Sequence, residues 1–245
     1  MGFVKKIKSL EKFKALSEES IQALADCCSY VEISRNKILF KSSQQAEYIY
    51  IILYGSFKLQ DGESKDNIVI YDFAGRGELI GMIHAVLQEP TYPFYAMSNE
   101  DSGVLGVALE DFNRLIQGYP DFADLLQGCI AKRFCEIVHD RKLSRLLISQ
   151  KLADFLLRTL KRPSLAFGNR IAIPLTRVDL ARKLATKDET VTRLLTSWTR
   201  SGWINTSQKY IEILDVAALE ALLADIAPPD NLGGLSLPSG CKKLR

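Results

Sequence analysis

Histidine and cysteine are scarce in this chain: its 245 residues include two histidines and five cysteines. The cysteines, Cys27, Cys28, Cys129, Cys135 and Cys241, are odd in number and lack paired-motif spacing, which argues against both a disulfide framework and a zinc finger. The adjacent Cys27 and Cys28 do not supply, unaided, the separated ligands of an iron–sulfur cluster. With no phosphate-cradling glycine loop and no recognisable nucleophile–base pair, an enzyme reading lacks its parts. Long apolar runs are also missing, so no membrane span is expected. The stretch MGFVKKIKSLEKFKAL spaces Phe3, Val4, Ile7, Leu10, Phe13 and Leu16 along a helix instead of gathering them into a signal-peptide core. Lys6 stands where a myristoylation signal needs a hydroxyl. A cytosolic protein is expected. The charge excess is only +3, from 32 basic and 29 acidic residues, so any binding of nucleic acid has to come from a local patch.

The length suits two domains, and a hydrophobic content of 47% supplies real cores. Before residue 118 the runs YVEIS, KILFK, EYIYIIL, GSFKLQ, NIVIYDF, YPFYAMS and SGVLGVA are rich in β-branched and aromatic residues and separated by turn formers. Their number and alternation predict an antiparallel roll or sandwich. LEDFNRLIQGYP switches to helical spacing and stops at Gly118 and Pro120. From Asp121 a longer helical stripe carries Phe122, Leu125, Leu126, Cys129, Ile130, Phe134, Ile137 and Val138. It has two candidate partners: the same helix of a second subunit, with Leu126, Ile130, Phe134 and Ile137 at the seam, or the roll itself. RLLISQKLADFLLRTL is a further amphipathic helix.

Two short helices then follow. Thr176 and Asp179 form a capping box ahead of Val178, Leu180, Ala181 and Leu184, and Thr186 with Glu189 suggests a second. Val191, Leu194, Leu195 and Trp198 make one apolar stripe, Gly202 is placed to end the helix, and the break between the two helices falls near Ala185. Trp203–Ile204 and Tyr210 to Leu214 read as a hairpin around a polar turn. Helix, turn, helix, hairpin is the order of a winged helix-turn-helix. The polar face of the second helix is either merely solvated or a reader of base edges. Arg193 offers two donors to guanine O6 and N7, Glu189 can accept from cytosine N4 or brace the arginine, and Thr192 lies beside them. Arg177, Lys187, Thr196, Arg200 and Lys209 are candidate contacts to the DNA backbone, as are Arg182 and Lys183.

The chain resembles the CRP/FNR family of bacterial transcription regulators over nearly its whole length. AEYIYIILYGSFKL, GRGELIGMI, YPDFADLLQGCIAKRF and, most specifically, LTRVDLARKLATKDETVTRLLTSWTRSGWI carry the resemblance. It implies an α+β fold: an N-terminal antiparallel β-roll of the cyclic-nucleotide-binding kind with an N-terminal helix (1–118), a long dimerisation helix (119–143) and a C-terminal winged helix-turn-helix (144–226). Residues 227–245, rich in Pro, Gly and Ser, form an expected flexible tail. It further implies a homodimer on a palindromic promoter site of double-stranded DNA, with RNA polymerase as a further partner. The FNR-like branch carries glutamate, two residues, then serine and arginine on its recognition helix; Glu189, Thr192 and Arg193 hold those places, threonine keeping the hydroxyl.

The sensor departs from the family pattern. Cyclic-nucleotide-binding members use Gly-Glu and Arg-Ser; here Met82 follows Gly81, and Tyr92-Pro93 replace the second pair. A buried phosphate without a cation is costly, which argues against cyclic AMP. Ile137 and Val138 replace the hydroxyl pair that contacts the base, and the cysteine cluster of oxygen-sensing relatives is absent. The effector pocket is expected around Gly81, Met82, His84 and Tyr92, where His84 is a candidate haem ligand with a packed structural histidine as the competing reading. Cys135 and His139 share a helix face at a spacing compatible with a metal, or form a solvated flank. The alternative to a DNA-binding regulator is a ligand-binding module whose winged domain holds another protein.

Overall fold

The computed structural model describes residues 2–62, 68–83, 91–207 and 210–224. The amino-terminal apolar repeat does not run as one helix. It forms α1 (Gly2–Lys8), a turn of 3-10 helix at Glu11–Phe13, and then α2 (Glu18–Asp26), whose start is capped by Ser17 accepting from the Ser20 backbone N–H. Breaking the helix lets Ile7, Leu10, Phe13 and Leu16 all turn inward.

The roll is built from two four-stranded antiparallel sheets. One has the order β1-β8-β3-β6 and the other β2-β7-β4-β5. In the first, β1 (Cys28–Ile33), β3 (Tyr48–Tyr54), β6 (Leu79–Ile80) and β8 (Ser102–Ala108) are joined in registers such as Ile49 opposite Val107 and Ile51 opposite Leu105. The near-continuous apolar run of β3 is explained by two buried faces. Ile49, Ile51 and Leu53 pack against α1, α2 and α3 (Leu109–Gly118), while Ile52 points into the roll. The second sheet contains β2 (Ile38–Phe40), β4 (Phe57–Asp61), β5 (Val69–Ala74) and β7 (Tyr95–Ser98). Phe57 and Leu59 fill the roll interior, and Ile70 and Phe73 join the core of the C-terminal unit.

The long helix α4 (Pro120–Lys142) divides its stripe between two environments. Phe122 and Leu126 are buried in the core under the roll, with Leu125, Cys129 and Ile130 packed beside them. Farther along, Phe134 and Ile137 are 65% and 61% exposed. Within the subunit, Leu126 is therefore covered by the core under the roll, and Ile130 is partly covered by it. A helical stripe alone does not say which of two partners covers each turn.

The C-terminal unit comprises α5 (Ile148–Leu160), a hairpin of β9 (Ala166–Phe167) and β10 (Arg170–Ile171), α6 (Arg177–Leu184), α7 (Asp188–Arg200), β11 (Ile204–Thr206), β12 (Ile211–Ile213) and α8 (Val216–Ala221). Its strands form one sheet, β11-β12-β10-β9. The Thr176–Asp179 capping box is present, the Thr176 hydroxyl accepting from the Asp179 N–H at 3.0 Å. The Thr186–Glu189 box is not: Ala185 takes the left-handed conformation (φ 52°), the Thr186 N–H donates to Ala181 O, and α7 starts from Lys187 without a side-chain cap. Val178 is exposed instead of joining the α6 stripe.

At the far end of α7, Gly202 adopts φ +75°. The Trp203 N–H donates to Trp198 O at 2.9 Å and the Gly202 N–H to Thr199 O at 3.1 Å. This paired closure satisfies two terminal carbonyls and requires the left-handed residue between them. A Cβ at Gly202 meets nothing within 4 Å, so the expected cost of Gly202→Ala is conformational. We predict a loss of about 1 kcal/mol in urea unfolding, and a midpoint unchanged from the parent would exclude strain at this position.

Candidate nucleic-acid interface and effector cavity

Helix α7 separates its residues by chemistry. Val191, Leu195 and Trp198 are buried and Leu194 is half-buried against the same core. On the other side Lys187, Asp188, Glu189, Arg193, Thr196 and Arg200 are exposed, and Thr192 is half-exposed. Glu189 and Arg193 are one turn apart, yet neither makes a side-chain hydrogen bond or ion pair among the described residues, and the same holds for Lys187 and Arg200. Glu189, Arg193 and Arg200 thus stand on one helical face with no internal partner among the described residues, and Lys187 stands at the N-cap. Asp188 and Glu189 lie in the first turn, where the helix dipole favours acids. Arg177 is exposed at the start of α6. Lys209 lies outside the described residues.

Lys183 does not belong to that surface. Its ammonium donates to Asp140 Oδ2 at 2.7 Å and to Tyr71 O at 2.6 Å, and its side chain is 10% exposed. Burial holds its pKa below the usual lysine value. Helical position alone suggested a phosphate contact; packing of α6 on the roll has turned the side chain to another use. Arg182 is half-buried.

The same packing gives Asp179 a second role. While capping α6 it also accepts from Lys58 Nζ of β4 at 2.9 Å, and the two side chains are 11% and 5% exposed. The next link is Arg162, just beyond α5. Its Nη1 donates to both oxygens of Asp72, at 2.9 and 3.0 Å, and its Nη2 to Phe73 O at 2.7 Å and to Glu78 at 3.0 Å. Arg133 of α4 pairs with Asp72 from the other side. Burial alone would push the Glu78 carboxyl up, but Arg162, with help from Lys12 and Ser164, holds it below the usual range.

Between roll, α4 and α5 lies a cavity of about 730 Å³. Gly81 and Met82 line it, as predicted. Tyr92 does not: its ring stacks on Phe40 at 3.9 Å, its hydroxyl donates to Tyr48 O at 2.6 Å, and the residue is 2% exposed. In place of a phosphate anchor, the sequence has put a core aromatic there. His84 lies outside the described residues. His139, the other histidine, has its Nε2 2.9 Å from Asp154 Oδ1. Asp154 is paired in turn with Arg158, so His139 joins an ion-pair network on α5, and Cys135 is exposed. Sequence reasoning missed α5 as a wall of the cavity, because nothing in an amphipathic pattern names the neighbour it faces.

A roll, a long connecting helix and a winged helix-turn-helix with an exposed, unpaired polar face define a DNA-binding regulator. Two family models match the two halves: the cyclic nucleotide-binding domain over residues 30–119 and the Crp-like helix-turn-helix domain over residues 150–222. The chain belongs to the CRP/FNR family of transcription regulators. It is 24% identical over 199 residues to the transcriptional regulatory protein btr of Bordetella pertussis, covering 79% of this chain and 80% of that one. Against the fumarate and nitrate reduction regulatory protein of Salmonella typhimurium the identity is 25% over 196 residues, covering 78% and 76%. The structure of FixK2 from Bradyrhizobium japonicum has the same fold, with a TM-score of 0.70 at 21% identity over 80% of this chain and 96% of that one. Among the described residues no helix is long and apolar enough to cross a membrane.

The buried Lys58–Asp179 pair generates a test of the docking of α6 on the roll. Lys58→Met keeps the apolar stem and leaves the carboxylate without its cation, which is expected to cost about 3 kcal/mol. Urea unfolding followed by the fluorescence of Trp198 and Trp203 measures it, and an unshifted midpoint would show that the pair does not hold the two units together.

Proposed function

We propose that this regulator binds an inverted-repeat promoter site as a homodimer, reads bases with Glu189, Thr192 and Arg193, and answers to a signal at the roll other than cyclic AMP. RNA polymerase is its further partner at the promoter. The observation that carries the reading is the exposed face of α7, where Arg193 and Glu189 lie one turn apart and unpaired. Arg193 is the principal base reader, with two donors for a guanine. Glu189 is a second base contact or brace, and Thr192 meets a thymine methyl or a hydroxyl acceptor. Lys187, Arg177, Thr196 and Arg200 meet the backbone, which positions the helix without specifying sequence. A protein-holding role for the winged unit has no comparable support, since the matched helix-turn-helix model spans residues 150–222 and the relatives named above are transcriptional regulators.

Against cyclic AMP stands the lack of an anchor: Met82 occupies the acidic position, Tyr92 is spent on the core, and Pro93 carries no charge. Dimerisation is supported by Phe134 and Ile137, apolar and exposed on the outer half of α4, with Val138 beside them at 38% exposure. Two copies related by a two-fold axis would cover this patch with itself. With α4 as the axis, the half-sites are expected about one helical turn apart.

Binding-site selection with parent, Arg193→Ala and Lys187→Ala proteins tests the assignment. Arg193→Ala is expected to relax one base position and cost about 1–3 kcal/mol per half-site. Lys187→Ala should weaken all sequences alike and flatten the salt dependence. Recovery of an unchanged motif by Arg193→Ala would remove that arginine from base reading.

For the seam, Phe134→Asp places an uncompensated charge on the apolar patch and is expected to raise the dimer dissociation constant at least tenfold. Analytical ultracentrifugation at low micromolar concentration reads this directly. A variant as dimeric as the parent would move the interface elsewhere.

A further inference from the structure

The cavity between roll, α4 and α5 has walls of two kinds. Ile80, Met82 and Phe94 from the roll, Ile137 from α4 and Phe155 from α5 are apolar. The polar part comes from Tyr71 and Asp72 of β5, from the helices and from the residues just after α5. Most of its charges are already answered within the protein. Arg133 pairs with Asp72 and Glu136, Arg158 with Asp140 and Asp154, and Lys183 with Asp140. Arg162 is answered through both terminal nitrogens, and its Nε–H is closed off from solvent and so from the cavity. Lys132 and Lys161 also line the cavity and make no ion pair among the described residues.

We propose that this cavity binds an organic monoanion with an apolar body, its carboxylate recognised by Lys132 and Lys161. The proposal deepens the reading of the roll as a sensor and rests on it. An uncharged apolar occupant would leave the charges of Lys132 and Lys161 unanswered. A cationic head group would face the two lysines that no acid answers among the described residues. A carboxylate answers both lysines through charge-assisted hydrogen bonds. The volume of about 730 Å³ falls in the range of small-molecule sites. Recognition of the head group thus comes from α4 and the end of α5, not from the roll strands. Because Phe155, Lys161 and Arg162 belong to the DNA-binding side, an occupant touches both units at once.

Isothermal titration of the full chain with 4-phenylbutyrate, 4-phenylbutanol and 4-phenylbutylamine, which share one apolar body, tests the head-group chemistry. The acid is expected to bind once per subunit and at least tenfold more tightly than the alcohol, and the amine more weakly still. Lys132→Gln/Lys161→Gln should bring the acid down to the affinity of the alcohol while leaving the alcohol unchanged. Both lysines are exposed and make no ion pair among the described residues, and the unchanged affinity for the alcohol reports that the double variant is folded. Equal affinities for acid and alcohol, no saturable binding of the acid up to about 1 mM, or a double variant that binds the acid like the parent would each overturn the proposal. So would tight one-per-subunit binding of cyclic AMP. The titration contains no DNA, so its failure is separable from a failure of the DNA-binding reading, which the binding-site selection reports.

Discussion

A single guanidinium fixes how the two halves of this regulator meet. Arg162 extends from the end of α5 and spreads its planar fork over Asp72, the Phe73 carbonyl and Glu78, all on the roll. A lysine could not reach three acceptors in one plane. Close approach is needed as well: a Cβ at Gly75 would lie 1.9 Å from Ser164 O, so only glycine lets the roll backbone come up to the segment after α5. Once α5 is held there, α6 lies against β5, and Lys58 and Asp179 are brought together in a buried setting where neither would be tolerated alone.

The legible parts of this architecture are those written in local periodicity. The strands of the roll, the two helices around Ala185 and the wing hairpin all follow from spacing and turn chemistry. What escaped is contact between distant segments. Asp179 reads as a cap because three-residue spacing from Thr176 is local; its bond to Lys58, 121 residues away, is not. Thr186 and Glu189 match the same cap pattern, but the left-handed Ala185 hands the Thr186 N–H to Ala181 O and leaves the pattern unused. The β9–β10 hairpin was too short for alternation to register, although Gly168-Asn169 between Phe167 and Arg170 was a usable turn signal. Of the candidate site residues, those on α7 lie on the helix that spacing placed there and Gly81 and Met82, which the family resemblance singled out, line the cavity, while Tyr92, Leu126 and Lys183 were claimed by neighbours that no spacing rule names.

Helix α4 links sensor and reader mechanically. Its 23 residues span roughly 35 Å at 1.5 Å per residue. The first turns are welded into the core beneath the roll by Phe122 and Leu126; the later ones carry Arg133 and Asp140, which contact the roll and the DNA-binding unit, and the apolar patch of the proposed seam. A shift of α4 against the roll therefore cannot leave the ion pairs on α5 and α6 undisturbed. Ile137 also lines the cavity, so the patch and the effector site share a side chain.

Lys183 adds a consequence that bears on how the protein's state can be observed. In the docked arrangement its charge is spent on Asp140 and Tyr71 O, although it sits on the first helix of the DNA-reading pair. A cation held internally displaces no counterions from a duplex. Were α6 to leave the roll, each subunit would present one more positive charge to the phosphates, and the log–log slope of affinity against salt would steepen by about 0.9 per added contact. Ionic strength thus becomes a gauge of conformation: the number of ions released on binding counts how many of these helices have come away from the sensor.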